Sequence, residues 1–264
     1  MVILITGITS GFGEAMARQL KAAGHSVYGT HRNAKDFIPG VTYIKADVQD
    51  EQQVKAAVEQ VVSAEGRIDV FINNAGMGIG GPLEFIPLED AERQMDVNFN
   101  GLVRCVHYVL PVMRKQGGGT IVAFSSIGGL MGLPFQGMYS ASKFAIEGYC
   151  EALRLETKAL GIKVVVIEPG DFATNFTAQR KSVAAPEAYE VYKTYAESLA
   201  SIEKDETTGL KPDYLAAKIV KIISKKNPRY NYIISTFVQR LSVLLKKLLP
   251  APLFSKILGS YYKL

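Results

Sequence analysis

Only two cysteines, Cys105 and Cys150, occur in 264 residues, far apart and in no paired spacing, which excludes a disulfide-built scaffold and a cysteine zinc site. A reducing, cytosolic setting is expected. No His/Cys/Asp cluster has ligand spacing, so no metal is expected. No apolar run reaches the roughly 18 residues of a membrane span. The opening "MVILITG" has neither a basic leader nor a small-residue cleavage site, so no secretory signal is expected. Internal repeats and low-complexity linkers are also missing, which leaves a single domain of ample core size as the expectation. No aromatic stacking motif or reader module accompanies the basic residues, so nucleic acid is not an expected partner.

Charge is present but uneven. Residues 211–264 hold eleven Lys/Arg and one acid, Asp213, for a net +10, while residues 1–210 sum to −5. Short runs rich in Val, Ile, Phe and Tyr recur at 2–6, 26–30, 41–45, 68–72, 119–125 and 163–168. They are continuous rather than alternating, as in strands buried on both faces of a parallel sheet. Helical segments are expected between them, near 13–23, 50–64, 88–115 and 139–160. This order predicts an α/β fold, a doubly wound parallel sheet of Rossmann type with right-handed crossovers. Residues 175–210 break the order and are read as a substrate lid, with Tyr189, Tyr192 and Tyr195 three apart on one helix face.

The first strand ends in "TGITSGFGEA". Gly7, Gly11 and Gly13, with Thr9, Ser10 and Phe12 between them, predict a turn that lets backbone N–H groups and a helix N-terminus approach a pyrophosphate. The second strand ends in Thr30, His31 and Arg32, with no acid before Asp36. An acid there would hold a ribose 2′-hydroxyl and repel a 2′-phosphate, whereas Arg32 can pair with that phosphate. NADP(H) is therefore expected over NAD(H), with His31 beside the adenosine end.

"TGITSGFG" at 6–13, "NNAG" at 73–76, "VNFNG" at 97–101, "SSIGG" at 125–129, "YSASK" at 139–143 and "PGDFAT" at 169–174 occur in one order and spacing. In these motifs the chain resembles the short-chain dehydrogenase/reductase family over about residues 1–225. The resemblance implies an NADP(H)-dependent oxidoreductase that acts on an alcohol or carbonyl. It implies that Tyr139 is the general acid/base, that Lys143 binds the nicotinamide ribose and tunes the tyrosine, that Ser126 hydrogen-bonds the substrate oxygen, and that Asn98 supports a proton relay. Lowering a phenol from pKa ~10 by about three units takes roughly 4 kcal/mol, for which an ammonium one turn away is the expected source. Asp47 and Val48 are implied at the adenine, Asn74, Ala75 and Gly76 at the adenosine ribose, and Pro169, Gly170 and Thr174 at the nicotinamide. A homodimer or homotetramer, built through the helices at 88–115 and 139–160, is implied as well. A silent dinucleotide-sensing protein on the same fold is the alternative, which retention of both Tyr139 and Lys143 disfavours.

Residues 128–148 and 27–33 look most like the hydroxysteroid and retinol dehydrogenase branch of that family. Met131, Leu133, Phe135, Phe172 and Phe176 are read as lining for an apolar substrate such as a steroid, a retinoid or a long-chain keto lipid. Residues 232–264 are read as a basic amphipathic tail. Ile234, Phe237, Val238, Leu241, Leu244, Leu245 and Leu248 fall at helical spacing near Arg240, Lys246 and Lys247, and Pro250 and Pro252 end the helix. Such a stripe packs on the domain, on a second subunit, or on an anionic membrane surface.

Overall fold

The computed structural model describes residues 1–33 and 37–264; Asp36 lies outside the described residues. In chain order the elements are β1 (Val2–Thr6), α1 (Gly11–Ala22), β2 (Ser26–His31), β3 (Thr42–Lys45), α2 (Glu51–Glu65), β4 (Val70–Asn73), β5 (Ile79–Gly80), α3 (Leu88–Met95), α4 (Gly101–Lys115), β6 (Gly119–Phe124), α5 (Gly137–Thr157) and β7 (Ile162–Pro169). There follow α6 (Phe176–Gln179), β8 (Lys181–Ser182), α7 (Pro186–Val191), α8 (Tyr195–Thr207), α9 (Pro212–Ile223), β9 (Asn231–Ile234), α10 (Phe237–Leu248) and α11 (Ala251–Tyr261).

Seven parallel strands form one sheet in the order β3-β2-β1-β4-β6-β7-β9, and β5 pairs with β8 in a small second sheet. Alternation along each strand feeds two cores. Val2 and Leu4 pack toward α2, α4 and α5, while Ile3 and Ile5 pack toward α1 and α9. Strands covered on both faces have no polar side, which is why their sequences run apolar without alternation. Strand order reverses between β1 and β4, and the carboxyl ends of the strands splay apart there to open a crevice.

Local signals place the helices around that crevice. Asp50 caps α2 by accepting from the Gln52 and Gln53 N–H groups, and Gly66 ends it in a left-handed conformation. The expected helix over 88–115 is instead α3 and α4 joined by a π-turn at Asp96–Asn100, a one-residue widening that turns Asn98 inward.

The C-terminal half departs from expectation in three places. Residues 231–234 form a seventh strand, with buried Ile234 beside Pro169, so Ile234 belongs to the sheet and not to the tail helix. Pro250 ends α10 only for α11 to begin at once, because proline in a first helical turn forfeits no hydrogen bond. Tyr189, Tyr192 and Tyr195 share no helix face, since Tyr192 terminates α7 in a non-helical conformation and Tyr195, fully buried, starts α8.

Candidate active site

A cleft of about 790 Å³ lies across the carboxyl ends of β1, β4, β6 and β7. Its floor is the glycine turn. Gly7 and Gly11 hold φ of 71° and 57°, a region that strains other residues. A Cβ on Gly13 would intrude on the Gly7 carbonyl oxygen and lie 2.7 Å from Asn74 Nδ2, so Gly13 shapes the turn from beneath without lining the cleft. Ser10 precedes α1 without a side-chain cap, which leaves first-turn N–H groups at the cleft surface beside Thr9, Ser10, Gly11 and Phe12. This cradle of bare backbone at a positive helix end fits a dinucleotide pyrophosphate.

The turn is braced from β4. Asn74 Nδ2 donates to the Thr6 and Gly7 carbonyl oxygens at 3.0 and 2.8 Å, and the Asn74 and Ala75 N–H groups both donate to Thr6 Oγ1 at 3.0 Å. Thr6 is thus a bracing residue whose part no local pattern announces. Asp47 and Val48 line the cleft at one end with His31 and exposed Arg32. The His31 ring packs edge-on to Tyr43, and partial burial together with Lys45 lowers its pKa. Gly76, Pro169, Gly170 and Thr174 line the middle of the cleft. A Cβ on Gly170 would strike Gln239, and Thr174 rests over Gly11.

α5 delivers Tyr139 and Lys143 one turn apart, with the Lys143 ammonium 5.6 Å from the tyrosine ring centre. Lys143 Nζ donates to the Phe124 carbonyl oxygen at 2.9 Å, and burial lowers its pKa to about 8. Ser126 follows β6 and lines the cleft, its hydroxyl donating to the Pro169 carbonyl oxygen at 3.4 Å and accepting from the Gly128 N–H at 3.1 Å, whereas the Ser125 hydroxyl turns under α5 to the Lys143 carbonyl oxygen. Asn98 is fully buried. Its Oδ1 accepts from the Met77 N–H at 2.8 Å, and its Nδ2 donates to the Met77 carbonyl oxygen and to Ser142 Oγ, each at 3.0 Å. It therefore pins the Gly76–Met77 turn close to Lys143.

The protein groups around Tyr139 act on its phenol in both directions. Its phenol is pushed up to about 12 by burial, with Glu206 and Asp171 adding to the rise and the Ser126 hydrogen bond and Arg180 opposing it. A phenol raised in this way is protonated at neutral pH, a form that can donate a proton.

Met131, Leu133, Phe172 and Phe176 line the cleft beyond Tyr139, with the Phe176 ring centre 5.7 Å from that of Tyr139. Phe135 does not: its backbone has φ 57° and its ring packs on buried Tyr195 at 5.0 Å, drawn from the cleft by the aromatic cluster under α8. Of residues 175–210, Asn175, Phe176, Thr177, Gln179, Lys181, Ile202, Asp205 and Glu206 line the cleft, and the three tyrosines do not. Leu245, Phe254, Leu258 and Tyr262 of the tail complete the far wall, and the capping-box residue Gln239 bonds Asp171 Oδ2 at 2.5 Å. Asp171 rises to about 7 through burial and the nearby Glu206 and Asp205, and Glu206 itself pairs with buried Arg180 and accepts from Thr177 Oγ1 at 2.6 Å. These tail and acidic residues escaped the sequence reading, since only Asp171, inside "PGDFAT", adjoins a motif. Among the described residues no metal-binding cluster occurs.

A parallel sheet with a glycine cradle at its switch point and a neutral tyrosine in the adjoining cleft defines a nicotinamide-dinucleotide oxidoreductase. A family model described as short chain dehydrogenase matches residues 1–184, and the chain belongs to that family. A 3-ketodihydrosphingosine reductase of Bacteroides thetaiotaomicron is 46% identical over 262 residues, 99% of this chain and 97% of that protein. The 17-beta-hydroxysteroid dehydrogenase type 1 of Homo sapiens is 39% identical over 202 residues, 70% of this chain and 60% of its own. A short-chain dehydrogenase from Streptomyces avermitilis of known crystal structure superposes with a TM-score of 0.81, covering 99% of this chain and 96% of that one at 29% identity.

Proposed function

We propose that this protein reduces the keto group of a long-chain amino ketone of the 3-ketodihydrosphingosine type, with NADPH as donor. The observation that carries the reading is the far wall of the cleft, which is apolar at Met131, Phe172, Leu245, Phe254 and Leu258 yet holds the carboxylates of Asp171 and Glu206 near the tyrosine, with Asp205 lining the same cleft. 3-Ketodihydrosphingosine is a long-chain 1-hydroxy-2-amino-3-ketone. Its chain suits the apolar wall and its ammonium, adjacent to the ketone, suits the carboxylates. A steroid carries no cation to meet them. The 46% relative is matched along its whole length, including the segments that build this wall, whereas the steroid enzyme is matched over 60% of its length.

In this reading the nicotinamide supplies a hydride to the carbonyl carbon. Tyr139 gives its phenolic proton to the carbonyl oxygen while Ser126 hydrogen-bonds the same oxygen. Lys143 holds the nicotinamide ribose, and Asn98 keeps the Met77 turn and Lys143 in register. Gly7, Gly11 and the α1 N-terminus hold the pyrophosphate, Asp47 and Val48 the adenine, and Pro169, Gly170 and Thr174 the nicotinamide. Residues 175–210 act as the lid.

The substrate reading is tested by NADPH consumption with 3-ketodihydrosphingosine, its N-acylated neutral analogue and a steroid ketone. Turnover that favours the free amine is expected, and a preference for the steroid sinks the proposal. Asp171→Asn should raise KM for the amino ketone by about tenfold and leave that for a neutral ketone unchanged. An equal rise for both ketones would show that Asp171 does not meet the ammonium. Arg32→Ala should weaken NADPH by about 10- to 100-fold and NADH only slightly, because one charge-assisted phosphate contact is lost. Equal loss for both cofactors refutes the NADP(H) preference.

A further inference from the structure

We propose that the outer faces of α10 and α11 dock on an anionic lipid bilayer, so that the mouth of the cleft opens directly into the apolar layer. Val238, Leu241, Ile257 and Tyr261 line the cleft and are nevertheless between 41% and 61% exposed, so these residues form its rim. The apolar surface continues outward from that rim. Phe237, Leu244 and Leu248 share one side of α10 with Leu241, are 79%, 50% and 69% exposed, and touch no part of the cleft. A contiguous apolar patch around a pocket mouth is unusual for a surface in contact with water alone.

The opposite side of these helices does the packing. Val243 and Phe254 are buried against Ile127 and Met131 of the catalytic loop, so the hairpin is anchored to the domain and its exposed stripe is left over after that anchoring. Residues 237–264 contain Arg240, Lys246, Lys247, Lys256 and Lys263 and no Asp or Glu, and all five cations are exposed. Apolar side chains flanked by cations complement an anionic headgroup layer over hydrocarbon. A bilayer is favoured over a second copy of this chain because Arg240, Lys246, Lys247 and Lys256 on these helices have no acidic partner of their own segment and would repel across a twofold contact; acids reach this surface from α8, where Glu197 pairs with Lys263 and Asp205 accepts from Tyr261. Among the described residues no helix is long and apolar enough to cross a membrane, so the contact is one of lying on the surface. Entry of substrate through the rim rests on the long-chain reading above; the docking itself does not.

The test is sedimentation of the full chain with vesicles of phosphatidylcholine alone or mixed with phosphatidylglycerol, at low salt and without substrate. Binding to the mixed vesicles is expected, at least about tenfold above that to phosphatidylcholine. The combined Phe237→Glu, Leu244→Glu, Leu248→Glu variant should lose that binding while keeping its melting temperature and its turnover of a water-soluble short-chain ketone, since all three side chains are solvated and outside the cleft. Lys246→Glu with Lys247→Glu should abolish the preference for phosphatidylglycerol. Equal binding by parent and variants overturns the proposal, as does no binding at all. A parent that is dimeric and a Glu variant that is monomeric in light scattering also overturn it, by assigning the face to a second copy. Vesicle binding without turnover of any long-chain ketone supports the docking and sinks only the substrate reading.

Discussion

Tyr139→Phe lowers turnover by about 10³-fold and leaves the affinity for NADPH within a few-fold. The substitution removes one hydroxyl from a ring that otherwise stays packed against Phe176. What disappears, under the proposed mechanism, is the proton donor, a phenol whose pKa burial pushes up to about 12. The pH dependence follows from the same geometry. A phenol with a raised pKa stays protonated through neutral and mildly alkaline solution, so the acid for reduction is not the first group lost as pH rises. Lys143, lowered by burial to about 8, changes charge first. The kcat/KM for reduction is therefore expected to be level below about pH 8 and to fall above it as the ammonium is lost. Stopped-flow or steady-state NADPH consumption across pH measures both points. A phenylalanine variant that retains a tenth or more of the turnover would remove Tyr139 from the proposed role, and a profile that rises through pH 8 would remove the Lys143 ammonium from its own.

Gly13→Ala should weaken NADPH binding by at least about 100-fold, the largest effect expected of a single methyl group in this chain. The added Cβ would occupy the space of the Gly7 carbonyl oxygen and press on Asn74 Nδ2, and both belong to the brace that fixes the turn. Neither neighbour is a flexible side-chain end: one is backbone, and the other makes hydrogen bonds to the Thr6 and Gly7 carbonyl oxygens. The turn must therefore open and the N–H groups of α1 lose their aim. Titration of NADPH into the purified variant reads the loss directly, and a circular dichroism spectrum with parent-like helix content separates it from unfolding. Gly24→Ala serves as the comparison, because nothing lies within 4 Å of its Cβ position. Parent-like NADPH affinity in Gly13→Ala would show that the cradle is not the cofactor site.

The sheet was legible because burial on both faces demands continuous apolar runs, as in β1, β2, β4, β6 and β7, while β3 at one edge is half-exposed and showed itself through Val41, Tyr43 and Ile44. The seventh, Asn231–Ile234, is a half-exposed edge strand preceded by a lysine-rich turn, and its residues blend into the apolar stripe that follows. The π-turn at Asp96–Asn100 was hidden for a different reason. A single widened turn leaves the helical periodicity on both sides nearly intact, so "VNFNG" reads as ordinary helix. Phe135 shows the converse failure: its place beside the catalytic motif suggested the pocket, but a positive φ and the Tyr195 ring hold it elsewhere.

The sequence by itself determined the doubly wound architecture, the glycine cradle and the pairing of Tyr139 with Lys143, because each depends on short-range rules: strand burial, backbone freedom at a turn, and i,i+4 spacing on a helix. Only the tertiary structure decided the far wall of the cleft, where Asp171, Asp205, Glu206, Gln239, Leu245 and Phe254 converge from segments that are distant in sequence. It also decided the sign of the shift at Tyr139. That sign is the balance between desolvation, which raises the phenol, and the charges of Glu206, Arg180 and Asp171, which the fold brings together from segments remote from α5.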